Sequence, residues 1–171
     1  LKYGLDIAVN SANLMYFSPA TLLKKYRSEL PPETLLNIYE VIVEHLNRVT
    51  WGQALDIYWH NSDKEVTKDE YLQMCCYKTG AIDRLTLSLA GMLVKIEDSL
   101  LQKIRNYGEM LGVAFQIHDD FLDVCVVRRD LFGGKPVGND VTEGKKSLVN
   151  ILTIQNLKGK KIGVLMGSFV S

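Results

Sequence analysis

The segment Gly112 to Asp123, G-V-A-F-Q-I-H-D-D-F-L-D, carries the densest set of chemically useful side chains in the sequence. On a helix turning ~100° per residue, Gly112, Gln116, Asp119 and Asp123 share a stripe roughly 60° wide, with Asp120 beside it. A glycine, an amide and three carboxylates thus run along a segment otherwise built of Val113, Ala114, Ile117, Phe121 and Leu122. Like charges at i and i+4 cost a helix ~0.2–0.5 kcal/mol in water, and more once desolvated. The stripe therefore calls for a counter-charge. A hard divalent cation supplies one, and Mg²⁺ commonly bridges one or two protein carboxylates to phosphate oxygens of a substrate. Asp119, Asp120 and Asp123 are the candidate metal ligands. A solvated acidic helix end would explain the aspartates alone; Gln116 on the same stripe, the apolar flanks and the next segment favour the metal.

That next segment, residues 133–148, reads G-G-K-P-V-G-N-D-V-T-E-G-K-K-S-L. Glycines 133, 134, 138 and 144 let backbone amides approach anionic oxygens, and Lys135, Lys145 and Lys146 add positive charge. On its own this is a flexible basic loop. Beside an aspartate helix it has the parts of a metal–diphosphate site. It is not a Walker A loop, because no GxxxxGK[ST] follows a strand.

The elements that position these residues read as helices throughout. Pro19, Pro31, Pro32 and Pro136 look like boundary markers, with Ser18 capping a helix from Ala20 onward. From Glu33 to Trp59 apolar residues recur at i, i+3 and i+4. Thr67-Lys68-Asp69-Glu70 is a capping box opening a further helix, and Gly80 marks a break or a close backbone approach. Ile82–Val94 is helical again, and Glu97-Asp98 open a helix running to about Val126. Only Ile162–Met166 hints at strand alternation. The expected fold class is all-α, with no internal repeat or linker.

The whole-chain numbers bound the function. With 171 residues, 47% hydrophobic and 23% charged, there is room for one domain with a real core. Lys+Arg 20 balance Asp+Glu 20, so no global field recruits nucleic acid or an anionic membrane. The three cysteines form no CxxC pair, which suits a reducing cytoplasm. Neither a transmembrane run nor a signal peptide is visible.

FQIHDDFLD followed by GKPVGNDVTEGKKSL strongly resembles the second aspartate-rich region of trans-isoprenyl diphosphate synthases, the polyprenyl synthetases. Upstream, Gly52–Ile57 resembles the family's GQxxD[LI] helix, and Tyr71–Met74 through Lys78-Thr79-Gly80 its YxxM…KTG helix. Lys2–Ala8 with Asn10 and Asn13 is similar to the segment after the family's first aspartate motif. These motifs cover about residues 1–152 of a single, partial domain, with 153–171 as an atypical tail. The resemblance implies an isoprenoid-synthase-type antiparallel helical bundle lacking N- and C-terminal helices. It implies Mg²⁺-dependent condensation of isopentenyl diphosphate with an allylic diphosphate, and a homodimer or a heteromer with a full-length synthase.

Carried over by position, Asp119, Asp120 and Asp123 would hold Mg²⁺ on the allylic diphosphate. Lys78, Thr79, Gln116, Lys135 and Lys145 would contact that diphosphate or stabilise the allylic cation, making Lys78, Gln116 and Asp119 the expected catalytic set. Phe115 would lie near the isopentenyl diphosphate pocket. Gln53 and Asp56 would line the cavity, although at i, i+3 they equally suit capping a neighbouring helix.

The family's first aspartate motif and its arginine pair have no counterpart here; Arg128-Arg129 follow the second motif instead. Little or no turnover is therefore expected of the isolated chain. Alternative readings are a non-catalytic subunit or relic paired with a full-length synthase, and, less favoured by the GKxxGxD…EGK loop, a class I terpene cyclase. His118, with no second histidine near, reads as a packed or hydrogen-bonded residue, and Tyr39, Trp51, Tyr58 and Trp59 as packing residues.

Overall fold

The computed structural model describes residues 2–124 and 138–157. Its helices are α1 (Leu5–Lys25), α2 (Pro32–His60), α3 (Lys68–Cys75), α4 (Ala81–Leu93), α5 (Asp98–Val124), α6 (Asn139–Thr142) and α7 (Leu148–Leu157). Among the described residues there is no strand, so the all-α expectation holds.

Local chemistry explains most boundaries. Pro31 and Pro32 open α2, where proline's missing N–H leaves nothing unsatisfied. Thr67 Oγ1 accepts from the Glu70 N–H at 3.2 Å while Glu70 Oε2 accepts from the Thr67 N–H at 2.9 Å, closing the expected capping box. Lys95 ends the α4 turn with φ 54°. The Ile96 N–H then reaches the Gly91 carbonyl at 3.1 Å and the Lys95 N–H that of Met92 at 3.2 Å, a Schellman closure without its usual glycine.

The expectations for Pro19 and Ser18 are corrected. Pro19 is no boundary: it lies inside α1. Ser18 does not cap a helix there but donates to the Leu14 carbonyl at 2.8 Å. No residue of α1 is buried, so water can satisfy the carbonyl that proline leaves without a partner. Gly80 does not break its helix either. Cys76–Gly80 form one π-turn whose flanking residues keep right-handed helical dihedrals, so the chain runs as one rod from Lys68 to Leu93. The alternative expected at Gly80, a close approach of backbones, is what the structure shows.

The main core joins α2, α3, α5 and α7 through Trp59, Val66, Tyr71, Met74, Cys75, Val113 and Ile151. Of the four aromatic residues read as packing, only Trp59 is buried; Tyr39, Trp51 and Tyr58 are exposed. Residues 153–157 continue α7, while Ile162–Met166 and the rest of the tail lie outside the described residues.

Candidate active site

The site is assembled around glycines that remove side chains between helices. A Cβ on Gly112 would stand 2.7 Å from the Gly80 Cα, and one on Gly80 would stand 2.8 Å from the Glu109 carbonyl oxygen. Helix α5 therefore lies backbone to backbone against the π-turn. On the opposite side, a Cβ on Gly52 would stand 2.8 Å from the Lys78 Cα, so α2 presses equally close. Glu109 binds this sandwich together, accepting from Arg48 Nη2 of α2 at 2.5 Å and from Arg84 Nη1 of α4 at 3.2 Å. The Arg48 guanidinium lies 5.5 Å from the centre of the Tyr77 ring. An open hollow of about 510 Å³ lined by Asn47, Arg48, Trp51 and Tyr77 adjoins this side.

Held this way, the π-turn presents Lys78 and Thr79 in sequence. Lys78 Nζ donates to Asp56 Oδ2 at 2.5 Å; the aspartate lies one helical turn beyond Gly52 and pairs across to the π-turn. Thr79 Oγ1 donates to Gln116 Oε1 at 2.8 Å. Single-turn π-bulges recur at functional sites because the widened turn re-aims its side chains.

The three aspartates of α5 have unlike surroundings. Asp119 is exposed. Asp120 is 5% exposed and accepts from Tyr71 OH at 2.6 Å, Gln116 Nε2 at 3.0 Å and the Leu148 N–H at 3.1 Å. Leu148 is the first residue of α7, so the helix dipole adds to the stabilisation of this carboxylate. For Asp120, then, the argument that an apolar helix face demands a metal counter-charge does not apply: protein donors fill that role. Asp123 is half-buried and accepts the Asp140 N–H at 3.0 Å, while its carbonyl accepts the Gly138 N–H at 2.7 Å. Burial raises the Asp123 carboxyl above its usual range, and the charges of Asp140 and Asp119 add to the rise against the opposing Asp140 N–H and Lys145.

Glycines 138 and 144 take φ 76° and 71°, turning the chain at both ends of α6. Lys145 follows, ion-paired to Asp140 and 3.5 Å from Glu143 Oε2. Burial opposes its charge, but these two carboxylates outweigh that and raise its pKa.

The structure thus links Lys78 to Asp56, Thr79 to Gln116 and Asp120, and Asp123 through Asp140 to Lys145. Phe115 and Gln53 are exposed, as is His118, and Lys135 lies outside the described residues. Sequence reasoning does not single out Tyr71, Arg48, Arg84 or Glu109 as site residues. Tyr71 has a signal, standing first in YxxM; the arginines and Glu109 have none, because their pairing spans α2, α4 and α5.

Among the described residues no three His, Cys, Asp or Glu side chains converge to hold a metal unaided. Asp119 and Asp123, one turn apart, still offer hard oxygen donors, and burial, with the neighbouring Asp140 and Asp119 charges, disfavours the ionised form of Asp123 in the absence of a cation. That donor set suits Mg²⁺, which typically takes one or two carboxylates and completes its shell with water and phosphate.

The chain belongs to the polyprenyl synthetase family, whose sequence model matches residues 1–167, farther than the motifs alone reach. It is 30% identical over 158 residues to a geranylgeranyl diphosphate synthase of Sulfolobus acidocaldarius, covering 92% of this chain and 47% of that protein. It is 32% identical over 145 residues to a geranylgeranyl pyrophosphate synthase of Eremothecium gossypii, covering 85% of this chain and 45% of that one. The crystal structure of a geranylgeranyl pyrophosphate synthetase from Pyrococcus horikoshii superposes with a TM-score of 0.81 at 30% identity, over 98% of this chain and 53% of that chain. The chain spans about half the length of the curated relatives it matches.

Proposed function

We propose that this chain carries the allylic-diphosphate half of a Mg²⁺-dependent prenyltransferase site, condensing an allylic diphosphate with isopentenyl diphosphate. One observation carries the reading: Thr79 bonds Gln116, one turn before Asp119 and two before Asp123 on α5, Lys78 precedes Thr79 on the π-turn in a pair with Asp56, and Lys145 is tied to Asp123 through Asp140. The relatives named geranylgeranyl synthases support the same chemistry.

In this reading Asp119 and Asp123 hold Mg²⁺, which when bound supplies Lewis-acid neutralisation of the diphosphate charge. Lys78 and Lys145 exchange their carboxylate partners for diphosphate oxygens and stabilise the leaving group. Thr79 and Gln116 turn their oxygens toward positive charge developing on the allylic carbon. No protein nucleophile is needed, because catalysis rests on preorganised charge and exclusion of water. Exposed Phe115 lies next to Gln116, where it would border the isopentenyl diphosphate site, and Lys135 is assigned to the diphosphate.

A cytoplasmic location belongs to the reading, supported by the free Cys75 and Cys76. So does association with a second copy or a full-length synthase, supported by exposed Leu14, Met15 and Phe17 along α1. Among the described residues no helix is long and apolar enough to cross a membrane.

Titration calorimetry with Mg²⁺ and geranyl thiodiphosphate tests the site. We expect binding by the wild-type chain and its loss in the Asp119→Ala, Asp123→Ala double variant. Equal heats from both proteins would end the proposal.

A further inference from the structure

We propose that Asp120 is a positioning residue and not a metal ligand: its carboxylate sets the direction of the hydrogen-bond chain through Gln116 to Thr79. The inference rests on the functional reading above only for which ligand the chain faces.

The geometry leaves one direction open. A carboxylate only accepts, and Asp120 receives Tyr71 OH and the Leu148 N–H on Oδ2 and the Gln116 amide on Oδ1. The Gln116 end that faces Asp120 must therefore be its NH₂. The other end, Oε1, then faces Thr79, so the threonine hydroxyl must spend its single proton on it. Thr79 Oγ1 and Gln116 Oε1 are left with lone pairs alone to offer. Such a pair attracts a cationic centre and repels a phosphate oxygen. Reversed, the same two side chains would present N–H and O–H groups and favour the opposite charge.

The carboxylate is also a junction. Its donors come from α3, α5 and the first residue of α7, so the helices that carry YxxM and FQxxDD and the helix that follows Lys145-Lys146-Ser147 are fastened at one buried group. Asp120 is 5% exposed with three protein donors already on it, so a cation there would have to enter the core, whereas Asp119 and Asp123 are accessible without that cost.

A swap of side chains tests the direction. In Gln116→Glu, two carboxylates would face each other at a present separation of 3.0 Å, and the thermal midpoint should fall by about 5–10 °C. Adding Asp120→Asn restores a complementary pair. The introduced asparagine gives its oxygen to Tyr71 and Leu148 and its NH₂ to the introduced glutamate, which still accepts from Thr79. The double variant should regain most of the lost midpoint, and at least ten-fold of the Mg²⁺–geranyl thiodiphosphate affinity that Gln116→Glu alone loses. Strictly additive losses in midpoint, or a folded double variant that binds no better than Gln116→Glu, would overturn the proposal. Absence of binding by the wild-type chain would refute the functional reading, and the thermal swap would still decide the role of Asp120.

Discussion

Gly112→Ala isolates the contact on which the site geometry depends. The added methyl would stand 2.7 Å from the Gly80 Cα, 2.9 Å from the Gly80 nitrogen and 2.8 Å from Asp83 Oδ2. Comfortable carbon–carbon contact is ~3.5–4.0 Å, so α5 must retreat from the π-turn by roughly 0.8–1.3 Å. The Thr79–Gln116 hydrogen bond, now 2.8 Å, would then stretch beyond bonding distance. Overpacking costs ~1–3 kcal/mol and the lost bond ~1, offset by ~1 kcal/mol of better helix propensity for alanine. The net loss of about 1–3 kcal/mol should lower the thermal midpoint by roughly 3–10 °C. Gly91→Ala is the matched control, because the atoms nearest its methyl belong to the side chains of Leu101 and Ile96 and not to backbone. Thermal and urea unfolding of both variants should place Gly112→Ala clearly below Gly91→Ala. A Gly112→Ala protein as stable as wild type would refute the reasoning, since propensity alone would then decide the site.

Lys95→Gly should stabilise the chain by about 0.5–1 kcal/mol, read from urea midpoints, because glycine adopts the φ of 54° without strain. Thr67→Ala should cost about 1 kcal/mol through the opened capping box, visible as a lower midpoint. His45 is buried with Nε2 unpartnered, and burial depresses its pKa below 6.5. The unfolded chain then takes up the proton first, so stability should be full above pH 6.5 and fall below it by at most ~1.4 kcal/mol per pH unit. His45→Leu should flatten that slope in urea titrations between about pH 7.5 and 5.5. Because the Asp123 pKa is raised, Mg²⁺–thiodiphosphate affinity should weaken at a higher pH than an ordinary carboxylate would dictate, by up to ~ten-fold per unit. Calorimetry across about pH 4–7 checks this, and a decline confined to the ordinary carboxylate range would refute it.

The helical class and most helix limits were legible in the sequence, because their causes are local. Thr67 and Glu70 close a capping box within four residues, and Pro31-Pro32 open α2 through a missing N–H and a fixed φ. The resemblance assigns roles to Lys78, Gln116 and Asp119 on equally local grounds: short motifs record side-chain types at fixed spacing. Periodicity could not tell the environments of the three aspartates apart. Adjacent residues on one helix differ by ~100°, and what each direction meets is decided by other helices. Tyr71 and the start of α7, 49 and 28 residues away, turn Asp120 into a buried acceptor while Asp119 faces water. The π-turn at Cys76–Gly80 was hidden for a related reason. An extra residue in a turn is repaid only when a neighbour fits the widened backbone, here Gly52 of α2 and Gly112 of α5, and that fit exists only once the helices have packed.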